Sequence, residues 1–325
     1  MDSNELVEPF DRMLESIATP AAVRAVEAGG SAALMWQELA ESGFLDALVD
    51  EAHGGAGLSM ADVQPLIAAV GARAVPLPVA ETMVARALLA GAGVTVPQGP
   101  IALAGSATSG QIVTCAMVAD YVLVDTGTEL VLAAIGDVSP ASTGVNHALG
   151  AWISWEAVPK GVVLPRPAHG LRPLAAVLHA ALIAGAAARL TEMTTAYAND
   201  RIQFGKPIGK QQALQQNLAV MAEDMIAARI AAQLGCAGGL GVTLMEAAVA
   251  KATTSSVASR LARTAHAVHG AIGISEEYDV QLLTRRLHEW RAADGSEGYW
   301  NAALGAARLA DAAPSVEWVR SKVFA

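Results

Sequence analysis

The sequence has 325 residues, 53% of them hydrophobic, and its 21 basic and 31 acidic side chains give a formal net charge of −10. This length predicts two or three domains, and the apolar fraction excludes intrinsic disorder. The acidic balance argues against nucleic-acid binding and against docking on anionic membranes, because both need basic surfaces. Cys115 and Cys236 offer neither a disulfide framework nor metal-ligand spacing.

The sequence shows no signal for export or membrane insertion. Its first residues are acidic and lack the basic flank and apolar run of a signal peptide. No stretch of about 18 apolar residues runs without polar interruption, so no transmembrane helix is expected. These observations predict a cytoplasmic protein.

A helical N-terminal domain is predicted over residues 1–97. Apolar residues of the segment 34–45 recur at helical spacing, and Gly43 is a stop signal within it. Ser59 and Asp62 are good capping residues for a further helix. The apolar stripe of that helix consists of Val63, Leu66, Ile67 and Val70. Prolines at positions 76 and 78 end it, and another helix is expected over 81–91.

The sequence pattern changes at residue 98 and again after residue 165. Residues 98–165 hold short β-branched runs separated by Gly, Ser, Asp and Thr clusters, such as 105–110, which predicts a small antiparallel sheet. Residues 166–325 return to a helical period and predict a four-helix bundle. Its helical segments are expected at 171–199, 207–235, 242–269 and 297–312. The resulting fold class is mainly α.

Three segments carry a resemblance to a known family. The first is WQELAESG at 36–43, which leads into EAHGGAG at 51–57. The second is RIQFGKPIG at 201–209, and the third is HGAIGISEEY at 269–278, followed by Asp-Gly-Ser at 294–296. In this order the chain resembles the acyl-CoA dehydrogenases, flavin enzymes that desaturate acyl-CoA thioesters. The resemblance implies FAD as cofactor, an acyl-CoA substrate, an oligomer and an electron-transfer acceptor.

The segment 201–209 connects two predicted helices and is the most specific of the three. Arg201 can pair with phosphate oxygens, and Phe204 offers an aromatic face to a ring system. The resemblance implies that Arg201, Gln203 and Phe204 contact the FAD bound mainly by a neighbouring subunit. Without the resemblance, the segment is a solvated turn with Phe204 tucked into the core.

The turn at 270–273 follows a predicted helix. The small residues Gly270 and Gly273 let backbone N–H groups approach an anion, and the resemblance implies a cofactor contact. A glycine cap for the helix 242–269 is an equally simple interpretation, and the two are compatible. The sequence departs from the family here, because Ala267 and Ala271 replace a glutamine and a second glycine.

Asp294, Gly295 and Ser296 stand where most of the family carries Glu, Gly and Thr or Ser. The resemblance implies that Asp294 is the base that removes the thioester α-proton, with cofactor contacts from Gly295 and Ser296. Asp is one methylene shorter than Glu, so it can serve only if backbone or substrate lies closer. The base position of a minority of the family falls on Ala175, which has no carboxylate. The alternative is that Asp294 and Ser296 cap the helix 297–312.

The middle domain departs further from the family. It lacks the Thr-Glu…Gly-Ser-Asp and Trp-x-Thr segments, and residues 98–165 form a shorter region than usual. Trp152 and Trp155 either substitute for these segments or are ordinary packing aromatics. Arg285 and Arg286 either face CoA phosphates or form a salt-bridged pair on a solvated face. The histidines lack metal-ligand spacing, so no metal is expected.

Three functions remain open at this point. The first is an FAD-dependent acyl-CoA dehydrogenase that acts as a homo-oligomer with Asp294 as base. The second is a non-catalytic small subunit of a heterotetramer with a full-length chain, as in bacterial sterol breakdown. Its own site is inactive, because its middle domain cannot hold a flavin, and it lends its 201–205 segment to the partner's flavin. The missing middle-domain segments favour this second function. The third is a flavin oxidase of a small carbon acid with Asp as base.

Overall fold

The computed structural model describes residues 3–107, 110–155 and 159–323. Its N-terminal part is helical, in agreement with the prediction for 1–97. The α-helices of this part are α1 (Ser3–Ile17), α2 (Pro20–Glu27), α3 (Ala33–Glu41), α4 (Met60–Ala72) and α5 (Val79–Gly91).

Local sequence signals explain where these helices begin and end. Ser59 Oγ accepts the N–H of Asp62 at 3.2 Å, and the Asp62 carboxylate accepts the N–H of Ser59 at 3.1 Å, which is the capping box of α4. The apolar stripe predicted for α4 is buried. Gly43 has a φ of 78°, a left-handed conformation that follows the end of α3.

The middle part contains two small sheets. The first has the strand order β1 (Ile101–Ala104), β3 (Tyr121–Asp125), β4 (Glu129–Ala134), β7 (Val162–Pro165), and the second has the order β2 (Gln111–Val113), β6 (Ala151–Ile153), β5 (Ala141–Ser142). The prediction of a purely antiparallel sheet is wrong, because β1 and β3 pair in parallel with Ile101 opposite Tyr121. The chain crosses into the second sheet between them, which parallel pairing requires. Within the predicted turn cluster 105–110, positions 108 and 109 lie outside the described residues.

The C-terminal part is a helical bundle with one hairpin. Its elements are α6 (Leu171–Asp200), β8 (Ile202–Gln203), β9 (Lys206–Pro207), α7 (Gln212–Cys236), α8 (Leu244–His269), α9 (Val280–Ala292), α10 (Glu297–Leu309) and α11 (Ser315–Lys322). The four predicted helical segments correspond to α6, α7, α8 and α10, within a few residues at each end.

The central helix is α6, which packs against α4, α7, α8 and α9. Where it crosses α4, a Cβ added to Gly185 would lie 1.8 Å from the carbonyl oxygen of Ala68. A Cβ added to Gly71 would lie 2.1 Å from the carbonyl oxygen of Leu182. The two backbones therefore touch, and this contact joins the N-terminal helices to the bundle.

The length and composition of α6 alone would allow it to cross a membrane. The sequence analysis, which expected no such helix, did not identify this segment. The mean hydropathy of its most apolar 18-residue window is 1.6, and 89% of that window is buried within the protein. Among the described helices of that length it is the one candidate. Its burial identifies it as a core helix.

The sheets are attached to the bundle by Asp125, at the end of β3. Its carboxylate accepts hydrogen bonds from the N–H of Leu171 at 3.0 Å, the N–H of Gly127 at 2.8 Å and Nε of Arg166 at 2.7 Å. Leu171 is the first residue of α6, so this buried carboxylate ties the strand end to the helix N-terminus, where a negative charge is favourable.

Candidate active site

A cavity of about 710 Å³ opens between the second sheet and the C-terminal helices. The sheet contributes Ile112 and Trp152 to its wall, and α6 contributes Arg172. The opposite wall is formed by α9 and by the connection to α10, which carries Asp294. Its volume lies within the range of small-molecule sites, about 300–1,000 Å³.

Asp294 is held in an unusual backbone conformation at this wall. Its φ is 51°, and the φ of Gly295 is 102°. A Cβ on Gly295 would come within 2.6 Å of the Tyr299 ring, so glycine is needed there. Burial raises the pKa of Asp294 to about 6, although the charges of Lys251 and Arg172 act in the opposite direction. The carboxyl group is therefore mostly ionised at neutral pH and is able to accept a proton.

The capping alternative for Asp294 is wrong. The N-cap position of α10 is occupied by Ser296, whose side chain makes no capping hydrogen bond within the described residues. The Asp294 side chain is 12% exposed, and its Oδ2 lies 3.4 Å from Nδ1 of His179 on α6. The carboxylate therefore contacts the protein interior as well as the cavity.

Two further buried side chains lie behind Asp294, and the sequence interpretation missed both. Nε2 of His179 lies 3.7 Å from Oε1 of Glu81 on α5 and 3.5 Å from the hydroxyl of Thr114 on β2. Burial lowers the pKa of His179 to about 3 and raises the pKa of Glu81 to about 7. At neutral pH the imidazole is therefore uncharged, and Glu81 is divided between its two protonation states.

Lys251 on α8 is fully buried and holds the backbone beside Asp294. Its Nζ donates to the carbonyl oxygens of Trp290 at 2.7 Å, Arg291 at 2.9 Å and Gly295 at 3.0 Å. Two of these carbonyls belong to the last turn of α9, where a cation is favourable. Burial lowers the pKa of Lys251 to about 7. Lys251 thus anchors the connection that presents Asp294.

One feature of the sequence could have pointed to these three residues. Glu81, His179 and Lys251 each have apolar or small neighbours in the sequence: they stand within VAETMV at 79–84, AVLHAAL at 176–182 and AAVAKA at 247–252. A titratable residue on a buried helical face is rare unless it has a partner. The partners, however, come from other elements and cannot be identified by spacing.

Arg285 and Arg286 line the cavity and form a salt-bridged cluster. Arg286 lies 3.0 Å from Glu27 and 2.6 Å from Glu289, and Arg285 lies 2.5 Å from Glu27. The salt-bridged alternative therefore agrees with the structure. The expected solvated face does not, because the side chains of Arg286 and Glu27 are 3% and 1% exposed.

The segment 201–209 forms the hairpin of β8 and β9, outside the cavity. Arg201 and Gln203 are exposed, and Phe204 at the tip is 92% exposed. The φ values of Phe204 and Gly205 are 52° and 77°, as in a type I′ turn, which is costly for a bulky residue. Ile208 anchors the hairpin by packing against α6 and α8. The alternative of a turn with Phe204 tucked into the core is therefore wrong.

Comparison with known proteins identifies the family. Residues 174–309 match the family model described as acyl-CoA dehydrogenase, C-terminal domain. Over 301 residues the chain is 30% identical to acyl-CoA dehydrogenase IpdE2 of Mycolicibacterium smegmatis, an alignment that covers 87% of this chain and 91% of the relative. The chain belongs to the acyl-CoA dehydrogenase family.

Other acyl-CoA dehydrogenases extend this similarity. FadE34 of Mycobacterium tuberculosis is 32% identical over 335 residues, which cover 92% of this chain and 46% of FadE34. A chain of the ChsE4-ChsE5 complex from Mycobacterium tuberculosis has a TM-score of 0.82 at 21% identity, covering 97% of this chain and 98% of that one. A variant of the steroid ACAD Tcur3481-Tcur3483 also reaches 0.82, at 24% identity, with 95% and 99% covered.

A structure of PigA with FAD and proline has a TM-score of 0.77 at 18% identity, with 95% of this chain and 97% of that chain covered. These likenesses confirm the acyl-CoA dehydrogenase fold that the resemblance implied.

The glycines of the family's third segment serve the end of α8. Gly270 has a φ of 63°, and its N–H donates to the carbonyl of His266, so the predicted glycine cap is present. A Cβ on Gly273 would lie 2.8 Å from Cβ of His269, which explains the need for a small residue. A cofactor contact at Gly270 and Gly273 stays a prediction.

The two tryptophans of the middle domain differ in role. Trp152 is 46% exposed and lies on the cavity wall, so it is not an ordinary packing aromatic. A Cβ on Gly110 would approach its indole ring to 2.7 Å. Trp155 packs against the sheet core. Among the described residues, no group of three or more His, Cys, Asp or Glu side chains is placed to hold a metal ion.

Proposed function

We propose that this acyl-CoA dehydrogenase takes part in the FAD-dependent desaturation of an acyl-CoA thioester between Cα and Cβ, as one chain of a heterotetramer with a different, full-length family member. One observation carries the proposal: the base candidate and the flavin-type hairpin lie in different places. Asp294 lines the cavity, whereas Arg201, Gln203 and Phe204 are exposed outside it.

The exposed hairpin residues suit an FAD that is shared between two chains. Arg201 suits a pyrophosphate, and Phe204 is 92% exposed in a strained backbone conformation of the kind that clusters at ligand sites. Such an exposed aromatic beside an arginine suits a cofactor bound mainly by another chain. The cavity offers a second surface, with Trp152 on one side and the Asp294–Gly295 connection on the other.

The chemistry at the cavity follows from the state of Asp294. When bound, FAD supplies the acceptor for the hydride that leaves Cβ. Asp294 takes the proton from Cα, because its carboxylate is ionised at neutral pH and more basic than an exposed one. Lys251 fixes the backbone next to Asp294 by donating a hydrogen bond to the carbonyl of Gly295. Gly105 leaves room for the carboxylate, because a Cβ there would lie 3.1 Å from Oδ1.

The acyl group that we propose is bulky and ring-containing. The cavity wall carries the apolar side chains of Ile112 and Trp152 from the second sheet, which suit an apolar acyl group. Two structural neighbours support the substrate class and the two-chain arrangement, since Tcur3481-Tcur3483 is a steroid ACAD and both it and ChsE4-ChsE5 have two components. An electron-transfer protein in the cytoplasm would then reoxidise the flavin.

The test starts from the visible spectrum of the purified chain and of the chain co-expressed with a full-length family member. We expect a colourless chain alone and a yellow complex that is bleached by a ring-containing acyl-CoA under anaerobic conditions. Asp294→Asn should abolish bleaching while FAD stays bound, and Arg201→Ala should lower FAD retention. The exposed residues Asp137 and Arg320 provide the matched controls Asp137→Asn and Arg320→Ala.

Each result bears on a different part of the proposal. A yellow, active chain on its own would contradict the two-chain arrangement and support a self-sufficient homo-oligomer. Unchanged bleaching by the Asp294→Asn complex would remove Asp294 from the mechanism and leave this chain as a non-catalytic partner. Failure of every preparation to bind FAD or to react with acyl-CoA would overturn the proposed activity.

A further inference from the structure

Three titratable side chains from separate elements meet in the interior behind the cavity. Glu81 on α5, His179 on α6 and Asp294 lie in a row, with side-chain exposures of 4%, 1% and 12%. Oε1 of Glu81 lies 3.7 Å from Nε2 of His179, and Nδ1 of the same ring lies 3.4 Å from Oδ2 of Asp294. Thr114 adds a hydroxyl group 3.5 Å from Nε2.

The imidazole of His179 has an unused polar atom that is aimed at Asp294. Nδ1 is buried and makes no hydrogen bond of good geometry among the described residues: Oδ2 of Asp294 lies 3.4 Å away, and the backbone of Ala175 is the other acceptor that interacts with this ring. A buried nitrogen in this state is costly. A rotation of the Asp294 carboxyl group that brings Oδ2 into line with Nδ1–H would remove this cost.

The charges around the ring decide which nitrogen carries the proton. A neutral imidazole has one N–H and one lone pair. Asp294 is mostly ionised at neutral pH, so a lone pair at Nδ1 would face a carboxylate. The carbonyl of Ala175, one turn earlier on α6, also favours a proton on this ring. Nε2 then accepts from the hydroxyl of Thr114 or from protonated Glu81, whose protonated form burial favours.

We propose that His179 is a positioning residue for the base: its neutral ring donates Nδ1–H to Oδ2 of Asp294 and accepts a hydrogen bond at Nε2. This role rests on the proposed function, because it matters to activity only if Asp294 removes a proton. With Oδ2 held by His179, Oδ1 is the oxygen left for the substrate. Gly105 keeps the space next to Oδ1 open, since a Cβ there would lie 3.1 Å from it.

Burial, followed by the charge of Lys251 on α8, keeps the His179 ring neutral by lowering its pKa. Burial raises the pKa of Asp294, and the charges of Lys251 and of Arg172 on α6 offset only part of that rise. Asp294 and Glu289 of α9 raise the pKa of Glu81. His179 therefore acts as a fixed dipole across the pH range in which Asp294 titrates, and it does not act as a second base.

The test is a titration of Asp294 in the folded full chain by ¹³C NMR of labelled Asp carboxyl groups, with the resonance assigned from Asp294→Asn. A donor that bonds to the ionised form lowers the pKa of Asp294. Its loss in His179→Leu should raise that pKa by about 1–2 pH units, the range for a hydrogen bond to a charged group. His179→Gln keeps an N–H donor and should restore part of the shift. The exposed Asp137 supplies the control Asp137→Asn, which should change the pKa of Asp294 by under about 0.5 unit.

In the active complex, the acid limb of the kcat profile should move upward with the pKa in His179→Leu, while KM changes little. A folded His179→Leu with an unchanged Asp294 pKa, or no rescue by His179→Gln, would overturn the role. If His179→Leu does not fold, ¹⁵N NMR of the wild-type ring decides: a neutral Nδ1–H tautomer whose Nδ1 resonance shifts as Asp294 titrates supports the role. An Nε2–H or charged ring, or an Nδ1 resonance that does not respond to Asp294, refutes it. Neither titration needs flavin or substrate, so both decide the role of His179 even if the proposed desaturation fails.

Discussion

The salt-bridged cluster that joins α2 to α9 allows a quantitative prediction for Glu27→Gln. The Glu27 side chain is 1% exposed and serves both arginines of the cavity wall, Arg286 at 3.0 Å and Arg285 at 2.5 Å. The substitution keeps the shape but leaves the buried Arg286 with Glu289 as its remaining carboxylate. Removal of one partner from a buried ion pair costs about 3–5 kcal/mol. The lower end applies here, because Glu289 stays in place.

The expected change in melting temperature follows from the size of the chain. The unfolding entropy of 325 residues is about 0.7 kcal/mol/K, so a loss of about 3 kcal/mol lowers Tm by about 4 °C. Thermal unfolding followed by circular dichroism measures this shift. The matched control is Glu192→Gln, which breaks an exposed pair with Arg189 whose side chains are 42% and 69% exposed. An exposed pair contributes about 0–1 kcal/mol, so the control Tm should fall by about 1 °C at most. Equal Tm values for the two variants would refute the argument from burial.

Two further predictions concern packing and capping. Gly185→Ala should destabilise the protein by about 1–3 kcal/mol, since the added Cβ would lie 1.8 Å from the carbonyl oxygen of Ala68. The control is Gly305→Ala, because a Cβ at position 305 would have no neighbour within 4 Å among the described residues. This control should stabilise α10 by about 0.5–1 kcal/mol. A destabilisation of the same size in both variants would argue against the helix contact. Ser59→Ala removes half of the capping box of α4 and should cost about 1 kcal/mol in urea unfolding, and a cost below about 0.3 kcal/mol would mean that the cap adds little.

The helices could be predicted because their signals are local. The period of the apolar residues and the cap at Ser59 placed α4, and the long apolar run at 171–199 placed α6 within one residue of its observed end. Strand direction is not local: Ile101 and Tyr121 pair in parallel only because the chain crosses to another sheet between them. A short run of buried apolar residues has the same sequence pattern in a parallel strand as in an antiparallel one.

The same difference applies to the candidate site: a residue within a local motif could be predicted, and residues that matter through contacts between distant elements could not. Asp294 was found through its place in a motif, and its neighbour Ser296 turned out to hold the cap position for which both had been considered. His179 and Glu81 were missed, because their meaning depends on a contact between α5, α6 and the α9–α10 connection. Their burial, and the pKa changes that burial causes, exist only in the folded chain.

The length of α6 has a consequence for how the two functional ends of this chain relate to each other. Arg172 near its first turn borders the cavity, and Arg201 directly after its last residue begins the exposed hairpin. One unbroken helix of 30 residues separates them by about 45 Å, at a rise of about 1.5 Å per residue. The helix therefore fixes both the distance between its two ends and their relative orientation. A single residue inserted between His179 and Asp200 would shift the residues after it by about 1.5 Å and rotate them by about 100°. The face that packs against α7 and α8 would then turn away from them, so the position of the hairpin relative to the cavity cannot change without loss of packing in the bundle.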